Sequence, residues 1–117
     1  MIGISPGARV LVATRPVDFR RGAHGLAALA KETLGQDPFS GTVIVFRSKR
    51  ADRIKLIVWD GSGLVMLWKS LDQAQFRWPP IRDGVMRLSS TQAAALLDGL
   101  DWSRIHAPRR GRPKAVR

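Results

Sequence analysis

The chain has 117 residues, 44% apolar and 25% charged, enough for one globular domain and too short for a second core. Twenty Lys and Arg stand against nine Asp and Glu, a net charge of +11, and fifteen of the twenty cations are arginine. With no Cys, no Tyr and only His24 and His106, the composition excludes disulfides, thiolate zinc sites and cysteine or tyrosine nucleophiles.

Arg9 to Ala13 reads as a short strand after the Ser5-Pro6-Gly7 turn. A helix is expected from Asp18, as N-cap, to Leu34, with Gly35 as its stop. Its apolar stripe is Phe19, Ala23, Leu26, Ala30 and Leu34, and Arg20, His24 and Lys31 lie on the flank beside it. Asp37-Pro38-Phe39-Ser40-Gly41 is a loop. Thr42 to Ser48 and Arg53 to Asp60 are β-branched strands joined by a hairpin connection at Lys49-Arg50-Ala51-Asp52. Asp60-Gly61-Ser62-Gly63 is a second turn, leading to a strand over Leu64 to Leu71. Phe76-Arg77-Trp78 is a further short strand candidate, with Val85 to Leu88 as its pairing partner. A second helix covers Thr91 to Leu97, capped by Ser89 or Ser90.

The expected fold is α+β: an antiparallel sheet of about five to six strands with two helices, over residues 1–102. Residues 103–117 hold six basic residues and no acid, and read as a disordered basic C-terminal tail. The longest apolar runs, such as Leu64 to Trp68, fall far short of the ~20 residues of a membrane span. The N-terminus lacks the charged start and apolar stretch of a signal peptide. A cytoplasmic protein with no membrane partner is expected.

A charge of +11 is relieved by a polyanion, and nucleic acid is the first choice. On the first helix Arg20, Arg21, His24 and Lys31 are candidate phosphate ligands. Arg47, Lys49, Arg50 and Arg53 surround a hairpin tip, either a phosphate grip or a solvated turn. On the next strand Ile54, Leu56 and Val58 share one face, and Arg53, Lys55, Ile57 and Trp59 the other. If Gly61 and Ser62 form a two-residue loop, Lys55 lies opposite Trp68, in reach of a cation–π contact. Trp68 could then stack unpaired bases; the alternative is that Trp59, Trp68 and Trp78 simply pack. In the tail, Arg109, Arg110, Gly111, Arg112 and Lys114 resemble the core of an AT-hook, in which an extended Arg-Gly-Arg lies in a narrow A/T minor groove; the plainer reading is a basic arm adding unspecific affinity. Asp18, Asp60 and Asp98 admit a metal-dependent nuclease, but all three sit where caps and turns favour Asp. No phosphate-loop motif occurs and no cofactor is implied.

Val17-Asp18-Phe19-Arg20-Arg21-Gly22-Ala23-His24-Gly25-Leu26 opens a series of blocks. Asp37-Pro38-Phe39-Ser40-Gly41, Val45-Phe46-Arg47, Asp52-Arg53-Ile54-Lys55, Trp59-Asp60-Gly61-Ser62-Gly63-Leu64, Phe76-Arg77-Trp78-Pro79 and Leu97-Asp98-Gly99-Leu100-Asp101-Trp102 continue it. Together they resemble the TnpB-type, or Orf2-like, accessory proteins of the insertion-sequence sixty-six transposons, which are distinct from the RNA-guided nucleases sharing the TnpB name. Phe19 stands where Met is usual and His24 where Asp is usual, making this helix more basic. The resemblance implies a bacterial, nucleoid-associated accessory protein encoded beside a separate DDE transposase. On that basis the chain is expected to be a non-catalytic protein with two partners, DNA (transposon ends or unpaired structures) and the transposase of the same element. The alternatives are a transposase-docking protein with little DNA affinity of its own and a small nuclease. Homo-oligomerisation is left open.

Overall fold

The computed structural model describes residues 5–82 and 84–105. Five strands form one mixed sheet in the order β4-β3-β2-β1-β5: β1 Val10–Ala13, β2 Val43–Arg47, β3 Arg53–Trp59, β4 Leu64–Ser70 and β5 Val85–Leu88. Helices α1 (Ala23–Glu32) and α2 (Ser90–Leu97) and a 3-10 turn, η1 (Trp102–Arg104), complete the described chain. The fold is α+β.

The sheet is not wholly antiparallel. β1 and β2 run parallel, with Val10 beside Val43 and Val12 beside Val45. A tight turn cannot join parallel neighbours, and α1 supplies the crossover between them. The two turn-linked pairs, β2–β3 and β3–β4, are antiparallel as expected. β5 pairs with β1, not with residues 76–78. That segment forms no strand; Phe76 donates its N–H to Ala51 O at 2.7 Å and buries its ring below the sheet.

Alternation in the strands sorts the core onto two faces. Ala13, Ile44, Phe46 and Ile57 pack with Leu26, Ala27 and Ala30 of α1. Val10, Val12, Val43, Val45, Ile54, Leu56 and Leu88 pack with Phe76, Trp102 and Ala93, Leu96 and Leu97 of α2. Each helix therefore covers one face. The chain remains packed past Trp102, since Ile105 lies against the α2-side core. The predicted tail beyond it, with Arg109, Arg110, Gly111, Arg112 and Lys114, lies outside the described residues.

α1 is shorter than its apolar periodicity suggests. It begins at Ala23, with Gly22 as an extended N-cap, so Asp18 is not its cap and Phe19, Arg20 and Arg21 precede it. Asp18 instead accepts the Arg20 N–H at 3.0 Å and closes a local turn. α2 matches expectation: Ser89 Oγ accepts from Gln92 N at 3.1 Å and Gln92 Oε1 accepts from Ser89 N at 2.9 Å, a reciprocal cap. Among the described residues no helix is long and apolar enough to cross a membrane.

Candidate nucleic-acid interface

The β3–β4 turn sets the register of the site. Asp60 donates its N–H to Gly63 O at 3.1 Å, and its Oδ1 accepts from Ser62 N and Gly63 N at 2.9 and 2.8 Å. Gly61, at φ +103°, takes the first loop position, where a side chain would be strained. These amide donors hold the Asp60 carboxyl below its ordinary pKa. The register that follows pairs Lys55 with Trp68, as the sequence suggests.

Lys55 does not turn to the indole. Its Nζ donates to Phe19 O at 2.6 Å and Arg21 O at 2.9 Å, and stands 4.7 Å from the centroid of the Phe19 ring. The Arg53 guanidinium lies 5.0 Å from the same ring. Two cations on one strand face thus clamp Phe19 and fasten the segment before α1 to the sheet. The Val17 N–H donates to Arg47 O at 3.0 Å and completes this attachment. Phe19 is the residue that sequence reasoning misplaces: at helical spacing it resembles a core position, whereas its contacts lie 34 and 36 residues away.

The remaining predicted residues divide by their occupation. Arg20 is 91% exposed at its side chain but forked onto Asp18, with Nη2 to Oδ2 at 2.8 Å and Nε to Oδ1 at 3.0 Å. The guanidinium beside Asp18 holds that carboxyl well below the usual range, and Asp18 in turn raises the pKa of Arg20. Arg47 is half-buried at the end of β2. Its Nη1 donates to Lys49 O at 3.3 Å, while its Nε is buried without a partner among the described residues. Lys49 and Arg50 are exposed at the tip, which Ala51 shapes by adopting φ 57°. The tip is anchored from behind, with Gln75 Nε2 donating to Arg50 O at 2.7 Å. Arg21, Lys49 and Arg50 make no ion pair with any described residue, and Arg53 has only a 4.0 Å approach to Asp52.

The structure therefore brings together the segment before α1 and the β2–β3 tip, with Lys55 and Phe19 between them. Trp68 is 61% exposed and adjoins this group on the same sheet face. His24 and Lys31 are exposed on the outer side of α1, and a seven-residue separation puts Lys31 about 10 Å along the helix from His24. The other tryptophans are structural. Trp78 Nε1 donates to Ala13 O and Trp102 Nε1 to Arg77 O, at 2.9 and 2.6 Å, and Trp59 meets Phe39 edge-on at 5.5 Å. Arg15, which sequence reasoning passes over, joins Arg21 at the mouth of a cleft of about 420 Å³ floored by Ala13, Pro16, Val17, Leu29 and Leu34; the only signal for it was a lone arginine two residues past a strand.

The acids invoked for metal chemistry serve separate places in the fold: Asp18 holds Arg20, Asp60 closes its turn, and Asp98 caps α2 through its backbone N–H. Among the described residues no three His, Asp or Glu side chains are grouped to hold a metal ion.

A family described as IS66 Orf2 like protein matches residues 8–107. An uncharacterized protein of Sinorhizobium fredii, y4jC, is 47% identical over 116 residues, 99% of each chain. A second from the same organism, y4hO, is 34% identical over the same share of both chains. No solved structure matches the chain.

Proposed function

The chain belongs to the IS66 Orf2-like family, and from that premise we propose that it is a non-catalytic accessory protein of transposition. It binds DNA of its element, at the ends or in unpaired structures, and assists a separate transposase encoded by the same element, acting at the bacterial nucleoid. The observation that carries this reading is the fastening of the segment before α1 to the β2–β3 tip. Through Phe19, Arg53 and Lys55 it ties the backbone that carries Arg21 to the hairpin that carries Lys49, Arg50 and Arg53, making one corner beside the exposed Trp68. Cations in such a corner hold phosphates, and an exposed indole beside them stacks an unpaired base.

Binding titrations on element-end duplex, hairpin and random DNA at several salt concentrations test the reading. Four phosphate contacts from the corner give a slope of log K against log salt of roughly −3 to −4. A fragment ending at Ala107, which spares the packed Ile105, keeps that slope, while the full chain is steeper through the five cations beyond. The absence of binding to every DNA, or binding indifferent to salt, sinks the proposal. The cleft between α1 and the end of β1, apolar below and rimmed by Arg15, Asp18 and Arg21, favours a second reading as a transposase-docking protein with little DNA affinity of its own. Co-purification with the transposase after nuclease treatment, alongside weak DNA binding by the isolated chain, supports that alternative.

A further inference from the structure

Among the described residues β4 is one edge of the sheet, with β3 as its single neighbour. Edge strands of monomers are ordinarily blunted by charge, proline, a bulge or brevity. The opposite edge, β5, follows that rule: it has four residues and an exposed Arg87. β4 does not. It runs seven residues, Leu-Val-Met-Leu-Trp-Lys-Ser, in unbroken register with β3. Its one charge, Lys69, is turned away under the sheet, where Nζ donates to Leu97 O at 2.8 Å. Leu67 and Trp68 are 43% and 61% exposed.

The direction of each backbone group follows from the hydrogen bonds at the two ends of the ladder. The Asp60 N–H to Gly63 O bond and the Leu71 N–H to Asp52 O bond, 3.1 and 2.8 Å, mark closely bonded pairs. Alternation along an antiparallel ladder then points Val65, Leu67 and Lys69 at β3. The N–H and C=O groups of Leu64, Met66, Trp68 and Ser70 point outward, and none has a backbone partner outside the sheet among the described residues.

We propose that this edge is occupied by β4 of a second copy, the two strands running antiparallel about a two-fold axis through Leu67. Only this axis pairs all seven residues. Outward-facing Met66 of one copy then bonds with Trp68 of the other, and Leu64 with Ser70, so every outward group is satisfied by its own symmetry mate. The side chains agree. Met66 meets Trp68 twice on the α1 face, a thioether against the edge of an aromatic ring, which leaves the indole face open to a base. Leu67 meets Leu67 on the α2 face, and Lys69 lies opposite Val65, so no like charges confront each other. An axis at Lys69 would oppose two ammonium groups. Resting on the DNA-binding reading above, the dimer has a further consequence. Each β2–β3 tip lies four to five residues beyond Leu67 in the β4 register. The two tips are thus separated along the strands by ~30 Å at ~3.3 Å per residue, close to the ~34 Å of one DNA turn. The dimer fits inverted half-sites.

Sedimentation equilibrium of the full chain without DNA tests the pairing. Twice the 12.9 kDa chain mass is expected in the micromolar range, and the single mass for a Met66→Lys, Trp68→Lys double variant that keeps the native circular dichroism. A second measurement holds if that variant does not fold. The protein has no cysteine, and Leu67 faces its copy across a non-hydrogen-bonded pair, at a Cα separation of ~4.5 Å that a disulfide spans. Leu67→Cys is expected to oxidise to a covalent dimer many-fold faster than Ser62→Cys in the exposed turn. A wild-type monomer throughout, a folded double variant that still dimerises, or equal crosslinking rates would overturn the proposal. Because these readings use no DNA, their failure leaves the DNA-binding reading standing, and loss of DNA binding by an intact dimer overturns only the latter.

Discussion

Lys55 and Arg50 are both basic residues of the same hairpin, yet their charges are spent differently. The Lys55 ammonium already satisfies two carbonyls and the Phe19 ring, whereas Arg50 projects from the tip without an ion pair among the described residues. A hydrogen bond to a charged group contributes more than a neutral one, so Lys55→Met is expected to cost about 1–2 kcal/mol of folding stability by urea denaturation. Its salt slope for DNA should stay near wild type. Arg50→Ala should do the reverse, leaving the denaturation midpoint in place and lowering the slope by about 1. Identical behaviour of the two variants would show that the carbonyl contacts do not hold Lys55 back from phosphate. Arg47 stands between these cases: Nη1 already donates to Lys49 O, and its buried Nε has no partner among the described residues.

Among the elements, α2 depends on a single residue used three times. Gln92 receives the Ser89 cap on its N–H, returns a bond to the Ser89 N–H, and extends Nε2 to Ile105 O at 2.8 Å. Ser89→Ala removes one capping bond and should cost about 1 kcal/mol. Gln92→Ala also frees the segment after η1, so amide exchange at residues 102–105 should rise in Gln92→Ala and stay slow in Ser89→Ala. Equal exchange in both would mean that Ile105 is held by its apolar packing alone. The sequence narrowed this cap to Ser89 or Ser90 and made the Lys55–Trp68 register legible, because both follow from chemistry within a few residues: serines before an apolar run, and Asp-Gly-Ser-Gly between two strands. What was not legible depended on distant partners. Phe19 fits a helical stripe by spacing, but the cations of β3 draw it out of the helix. The parallel β1–β2 pair was hidden because its only local sign is the absence of a turn between them, while both visible hairpins are antiparallel. Residues 76–78 have strand composition, yet Phe76 is bonded to Ala51 O and buried in the α2-side core, away from a pairing with β5.

At the scale of the whole molecule, charge sets the response to acid. The chain holds +11 at pH 7, and every carboxylate that takes a proton increases the self-repulsion of the compact state. Asp18, Asp60 and Asp101 are each held below the ordinary value of 3.8 by hydrogen bonds, from Arg20, from the Ser62 and Gly63 amides, and from Ser103 respectively. Lowered carboxyl pKa values mean that the unfolded chain binds protons first as pH falls. Their stabilising contribution is therefore complete above about pH 4–5 and is lost progressively below it, toward the folded values. Urea midpoints should stay level from pH 8 to 5 and then decline. The two causes of the decline separate by salt: general repulsion is screened, whereas the short bonds from Asp60 to its turn are not. Asp60→Asn keeps an amide oxygen for Ser62 and Gly63 but has no proton to gain. In high salt its midpoint should therefore fall less steeply below pH 4 than wild type. Superimposable profiles would mean that the Asp60 carboxylate does not couple folding to pH, and that repulsion alone limits this basic chain in acid.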